Sequence, residues 1–157
     1  MAIKELRSGP PSDFSGVIEL FGEFFSTHDI FRHISNSSVW RYVQESSLQY
    51  PLLIVEEDGN VQAAMYLVRT EEDRDKTHSR WKFRHFAWRS EKAFEELIVE
   101  AESRIRSHSR TSKIENTVAA SEPGIELYLT NGYEVEAELK NHYRFNETCF
   151  VLGKTLS

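Results

Sequence analysis

A chain of 157 residues that is 39% hydrophobic, with 10 Phe, 6 Tyr and 3 Trp, carries enough apolar mass for one well-packed domain and is not a disordered polymer. Its net charge of −6 argues against a general nucleic-acid binder, whose affinity rests on Lys and Arg contacts to phosphates. Cys149 is the only cysteine, which excludes an intrachain disulfide and makes a reducing cytoplasm the expected compartment. No apolar run nears the roughly 20 residues that cross a bilayer, so no membrane partner is expected. The N-terminal stretch MAIKELRSGPPSD lacks the apolar core of a signal peptide. With no repeat or linker to divide it, the chain reads as a single domain over 1–157.

In chain order, residues 3–6 form a short strand candidate, closed by Gly9, Pro10 and Pro11. Ser12 or Asp13 can then cap a helix with Phe14, Val17, Ile18, Phe21 and Phe25 on its apolar face. THDIFRH (27–33) has no clear period. A second, weaker helix starts within 35–38 and carries Trp40, Val43 and Leu48. Residues 51–56 read as a buried strand, 57–60 as a hairpin turn, and 61–69 as the returning strand. The mixed charges of 70–80 suggest a solvated loop.

Residues 81–88 give the next strand, after which Phe94, Leu97, Ile98, Ala101 and Ile105 follow helical spacing. Glu95, Glu96, Glu100, Glu102 and Arg106 fall largely on the opposite side of that helix. A strand over 114–120 precedes a helix over 122–131, with Pro123 in its first turn and Gly132 just past its end. Two strands, 133–143 and 148–154, close the chain. Such alternation predicts an α/β fold, with a mixed sheet, helices on both faces and at least some parallel strands.

On ELYLTNGY (126–133), and on the following strand that ends KNHY (140–143), the chain resembles the GCN5-related N-acetyltransferases (GNAT). The spacing is similar to that of the subgroup acting on protein N-termini, which includes the ribosomal-protein alanine acetyltransferases. Phe86, Ala87 and Trp88 match the apolar-Ala-Val end of the family's central strand. The resemblance implies a mostly antiparallel mixed sheet splayed between two parallel strands. It also implies acetyl-CoA as cosubstrate, no metal, and direct transfer to an amine, either a small molecule or a protein N-terminus. It leaves the oligomeric state open, a homodimer included.

By resemblance, Tyr128 stands where the family commonly places the tyrosine that protonates the CoA sulfur; otherwise it packs as an amphipathic aromatic. The base is less defined. The carboxylate of the strand after the long helix falls at Asn116. Glu115, beside it, faces the other way unless a bulge or register shift turns it. The matching position on the central strand is Lys82. His85 has suitable chemistry, although a histidine among aromatics is more often structural. The six histidines form no helical metal-ligand pair, and Cys149 reads as a small buried residue.

The family's phosphate turn should lie in HFAWRSEK (85–92), with Arg89 first and glycines where Lys92 and Phe94 stand. Side chains there keep the backbone away from a diphosphate. Ser90 can cap the helix itself, and Glu91 opposes an anion at the helix start. Arg89 and Lys92 are candidate phosphate ligands through their side chains. Ser121 stands where the family often has a cofactor-proximal Asn, and reads equally as an N-cap. Two functions follow: an acyl-CoA-dependent N-acetyltransferase, or a GNAT-like binding or regulatory module without efficient CoA binding.

Overall fold

The computed structural model describes residues 1–7, 9, 11–25 and 37–157. The stretch 27–33, the helix start at 35–36, His28 and His33 lie outside the described residues. The elements are β1 (Ala2–Leu6), a 3-10 turn (Pro11–Phe14), α1 (Ser15–Phe24), α2 (Ser37–Gln49), β2 (Leu52–Glu57) and β3 (Asn60–Glu72). They continue with β4 (His78–Trp88), α3 (Glu91–His108), β5 (Thr111–Ala119), α4 (Ile125–Thr130), β6 (Glu134–Lys140) and β7 (Thr148–Leu156). The sequence of strand and helix types is the one read from hydrophobic period.

The strands form a seven-stranded mixed sheet in the order β1-β2-β3-β4-β5-β7-β6. The β1–β2, β2–β3, β5–β7 and β6–β7 pairs are antiparallel, and β4–β5 is parallel. The parallel register covers four pairs, from His78 with Thr111 to Trp81 with Ile114. Both strands run on past it, to Trp88 and to Ala119.

The chain divides into two compact units. The first is Met1–Val68 with Phe83–Ala101, and the second is Arg69–Lys82 with Glu102–Ser157. In the first, Val17, Ile18 and Phe21 of α1 and Val39 and Val43 of α2 join Leu52, Ile54, Ala64, Tyr66 and Ala87 in one apolar cluster. Leu53, Val55, Ala63, Met65 and Leu67 have the opposite parity and are buried too, so β2 and β3 are covered on both faces. The hairpin between them turns at Asp58 and Gly59, whose φ values of 52° and 79° suit a tight type I′ turn.

Two helix details differ from expectation. α1 starts at Ser15, after the 3-10 turn, with Phe14 at its cap and no side-chain cap bond. The helix therefore begins after Ser12 and Asp13, once the buried Phe14 has entered the core. On α2, Leu48 is 67% exposed, and Ser47 takes the buried position four residues after Val43. Its hydroxyl lies 2.7 Å from the Gln44 carbonyl and 2.8 Å from the Arg7 carbonyl and donates its one proton between them, which makes that burial tolerable.

In the second unit, β5 alternates, with Ser112, Ile114, Asn116 and Val118 buried. The expected charged loop is mostly strand: β3 reaches Glu72 and β4 starts at His78, leaving five residues to turn. The Asp73 carboxylate closes that turn, accepting the Thr77 N–H (2.8 Å), the Thr77 hydroxyl (2.7 Å) and the His78 N–H (3.2 Å). Glu102 was expected on the polar side of α3. It is instead 5% exposed and pairs with Lys154 Nζ at 2.9 Å.

Candidate active site

The junction between β4 and α3 is built wholly within the first unit. Phe86 stacks on Phe94 with ring centroids 4.8 Å apart, and Trp88 meets Phe94 edge-on at 4.8 Å and Phe24 at 4.5 Å. Ala87 is fully buried in the α1–α2 cluster. The side chains of 86–88 are thus committed to packing, and what this stretch offers a ligand is backbone.

The helix start is largely self-satisfied. The Ser90 hydroxyl accepts the Ala93 N–H at 3.2 Å, the N-cap geometry its position suggested. Glu91 occupies the first turn, where it offsets the positive end of the helix. Arg89 is drawn elsewhere: Nε donates to the Val61 carbonyl at 3.1 Å and Nη1 pairs with Glu23 at 2.5 Å. A phosphate role would require it to leave both. Lys92 is exposed, and among the described residues no acceptor meets its backbone N–H or that of Glu91. Two backbone donors and one lysine are what remains for a pyrophosphate.

In the second unit, Tyr128 of α4 is 3% exposed and lies edge-on to Tyr133, with centroids 5.2 Å apart. Burial, and then the charge of Glu122, hold its phenol above the ordinary tyrosine value, so it stays protonated. Glu115 sits on β5 with its side chain 39% exposed, 3.7 Å from Arg80 Nε. The β5–β7 register runs from Ser112 with Leu156 to Ala119 with Cys149 without a shift. No bulge therefore turns Glu115 to the buried face of Asn116, and the condition for it to replace the missing base is not met.

Ser121 is exposed and donates to Glu147 Oε2 at 2.7 Å. It is not the helix cap: α4 begins at Ile125, with Gly124 at the N-cap in a left-handed conformation (φ 114°) and no side-chain cap bond. Glu122 reaches back instead to the Ala119 N–H at 3.2 Å, and Pro123 precedes the helix. Burial raises the Cys149 thiol, which leaves it a poor nucleophile. Among the described residues no group of His, Cys, Asp and Glu could hold a metal ion, and no helix is long and apolar enough to cross a membrane.

No family model matches the sequence, and no curated protein does. Solved structures do. The PaiA N-acetyltransferase from Thermoplasma acidophilum, in complex with coenzyme A, aligns with a TM-score of 0.71 at 14% identity, over 99% of this chain and 100% of that one. The chain has the GNAT fold. The aminoglycoside 6'-N-acetyltransferase from Enterococcus faecium aligns with a TM-score of 0.70 at 14% identity, over 99% and 97% of the two chains. The ribosomal-protein-alanine N-acetyltransferase from Brucella melitensis gives a TM-score of 0.62 at 16% identity, over 99% and 100%. Within the GNAT fold, β4 is the central strand and α3 the long helix after it.

One feature of β4 has no counterpart in the sequence reading. His85 has φ 53°, the only such non-glycine residue inside a strand among the described residues; Asp58, Lys76, Asn141 and Asn146 lie in turns. The strand alternation breaks there. Phe83 and Phe86, three apart, meet ring to ring at 5.9 Å, as an extra bulged residue allows. Residue-type patterns carry no signal for such a bulge, because the residue that takes the left-handed conformation is not a glycine.

Proposed function

We propose that this chain is an acyl-CoA-dependent N-acetyltransferase that passes the acyl group directly to an amine, either a small molecule or a protein N-terminus. The observation that supports it most is the end-to-end alignment with a GNAT-fold acetyltransferase in complex with coenzyme A. In this reading the backbone of 86–88 bonds the pantetheine arm and acyl carbonyl. The backbone donors of Glu91 and Lys92, with the Lys92 ammonium, meet the phosphates. By the family resemblance alone, Tyr128 is the group assigned to give a proton to the leaving thiolate.

The self-capped helix start favours a second reading, a GNAT-like module that binds CoA poorly. Ser90 consumes one donor, Glu91 opposes an anion, and Arg89 is held by Glu23. Isothermal titration with acetyl-CoA separates the two readings. The transferase predicts measurable heat, and CoA release when an amine panel is added. No heat and no thermal shift at millimolar acetyl-CoA would sink it and leave the module. Once turnover is seen, Tyr128→Phe should lose about 100-fold in kcat with acetyl-CoA affinity nearly unchanged. Unchanged turnover removes Tyr128 from the mechanism.

A further inference from the structure

We propose that His85 is the terminal proton acceptor for the amine substrate and that Tyr42 relays the proton to it. The inference rests on the transferase reading above and adds the base that reading lacks.

Three observations within the first unit carry it. First, Tyr42 Oη and His85 Nε2 share a hydrogen bond of 2.8 Å across 43 positions of sequence. Second, the imidazole is ringed by aromatics: Phe25 and Tyr42 at 5.9 Å, Phe21 at 6.0 Å and Tyr66 at 6.1 Å between centroids. Third, the backbone is held at φ 53°. Such a conformation costs on the order of 1–3 kcal/mol and persists only where the surroundings enforce it. Packing alone does not require this, since an unbulged strand could place a plain apolar side chain in the same cluster.

Location adds to this. His85 immediately precedes the stretch whose backbone is assigned to the acyl arm. An attacking nitrogen must come within about 3–3.5 Å of the acyl carbon, so its proton has to be taken by a group near that stretch. Among the described residues, groups facing His85 include Phe21 and Phe25 at the end of α1, Tyr42 of α2 and Tyr66 of β3. The neighbouring Arg84 has its guanidinium over the Tyr50 ring at 5.0 Å, and Glu23 of α1 is turned to Arg89. The Tyr66 hydroxyl donates to the Val43 carbonyl at 2.9 Å, and burial raises its phenol, so it does not compete for the proton.

The step balances. The amine nitrogen bonds to the acyl carbon and its proton passes to Tyr42 Oη, while the Tyr42 proton moves to Nε2. The C–S bond then breaks, and the sulfur leaves with its electron pair and takes up a proton, the role assigned to Tyr128. The imidazolium returns its proton to water, and the Tyr128 phenolate takes one back from water. Amide and free thiol are the products.

The test pairs His85→Asn with Tyr42→Phe. Asn accepts positive φ readily, so the bulge survives while the base is lost. Expected are a fall in kcat of about 100-fold or more for His85→Asn, about 10-fold for Tyr42→Phe, and KM for acetyl-CoA within about threefold of wild type in both. The His85→Asn rate should rise with pH as free amine accumulates, past the point where the wild-type rate levels off. Independently of turnover, the His85 ring resonances in the ligand-free protein should move in Tyr42→Phe, because the 2.8 Å bond to Nε2 is lost. A His85→Asn protein that keeps its kcat and pH profile overturns the assignment while leaving the transferase standing. So does a ring resonance indifferent to Tyr42→Phe. A wild type that releases no CoA with any amine overturns the transferase reading, and the assignment with it.

Discussion

The two compact units bury their polar chemistry in opposite ways. The unit of Met1–Val68 with Phe83–Ala101 surrounds one imidazole with rings and keeps carboxylates at its rim, as with Glu23 against Arg89. The unit of Arg69–Lys82 with Glu102–Ser157 takes a carboxylate inside. Glu102 accepts from Lys154 at 2.9 and 3.1 Å and from the Tyr133 hydroxyl at 3.1 Å, while Lys154 also donates to the Asn131 carbonyl at 2.8 Å. In the same unit Ser79, Ser109 and Ser112 bond one another, and the Trp81 indole donates to Ser79 at 2.6 Å. The first arrangement is where the proposed proton relay lies. The second pairs its buried carboxylate with a cation and a phenol and fixes geometry, which is a structural role.

Substitutions can break that contrast. Lys154→Met should cost the most, about 3–5 kcal/mol in urea unfolding, because it strands a buried carboxylate. Adding Glu102→Leu should recover much of the loss; no recovery would mean that the pair is not a closed unit. Phe21→Ala in the first unit should cost about 3 kcal/mol by leaving a cavity beside His85. That loss should be indifferent to salt, and a strong salt dependence would contradict an apolar origin.

Smaller effects sharpen the comparison at the surface. Ser90→Ala should lower stability by about 1 kcal/mol through the lost cap, and the exposed Ala93 N–H should leave acetyl-CoA binding no weaker. Tighter binding would identify the cap as a competitor of the phosphate, and weaker binding would mean that Ser90 itself contacts ligand. The mildest effect concerns Asp73. The Thr77 hydroxyl bond, then the His78 N–H, hold its carboxyl below the usual value. A depressed folded-state value stabilises the turn above the unfolded value of about 3.9, and that contribution fades as pH falls through the folded value. The protection of the Thr77 and His78 amides against exchange, relative to the unfolded chain, should therefore fall only in acid, and Asp73→Asn should abolish that pH dependence.

Much of this was legible beforehand because hydrophobic period is a local property. The face of α3 made by Phe94, Leu97, Ile98, Ala101 and Ile105 is buried as its spacing foretold, and Ser90 caps the helix it precedes. Ranges failed where neighbours outvoted composition. Residues 70–72 and 78–80 look like loop yet form strand, since cross-strand pairs such as Arg80 with Glu71 accommodate their charges. Glu102 looks like surface yet lies inside, because Lys154, distant in sequence, meets it.

By itself, then, the sequence determined the order of elements and the mixed sheet, because each follows from patterns spanning a few residues, and the family resemblance marked β4 as the central strand. Only the tertiary structure decided that Arg89 turns to Glu23, that Glu115 stays on the face of Arg80, that Gly124 rather than Ser121 starts α4, and that His85 bulges from its strand to meet Tyr42. The physical reason is common to all four. A side chain's direction is set by partners far along the chain and by single backbone dihedrals, and residue-type patterns encode neither.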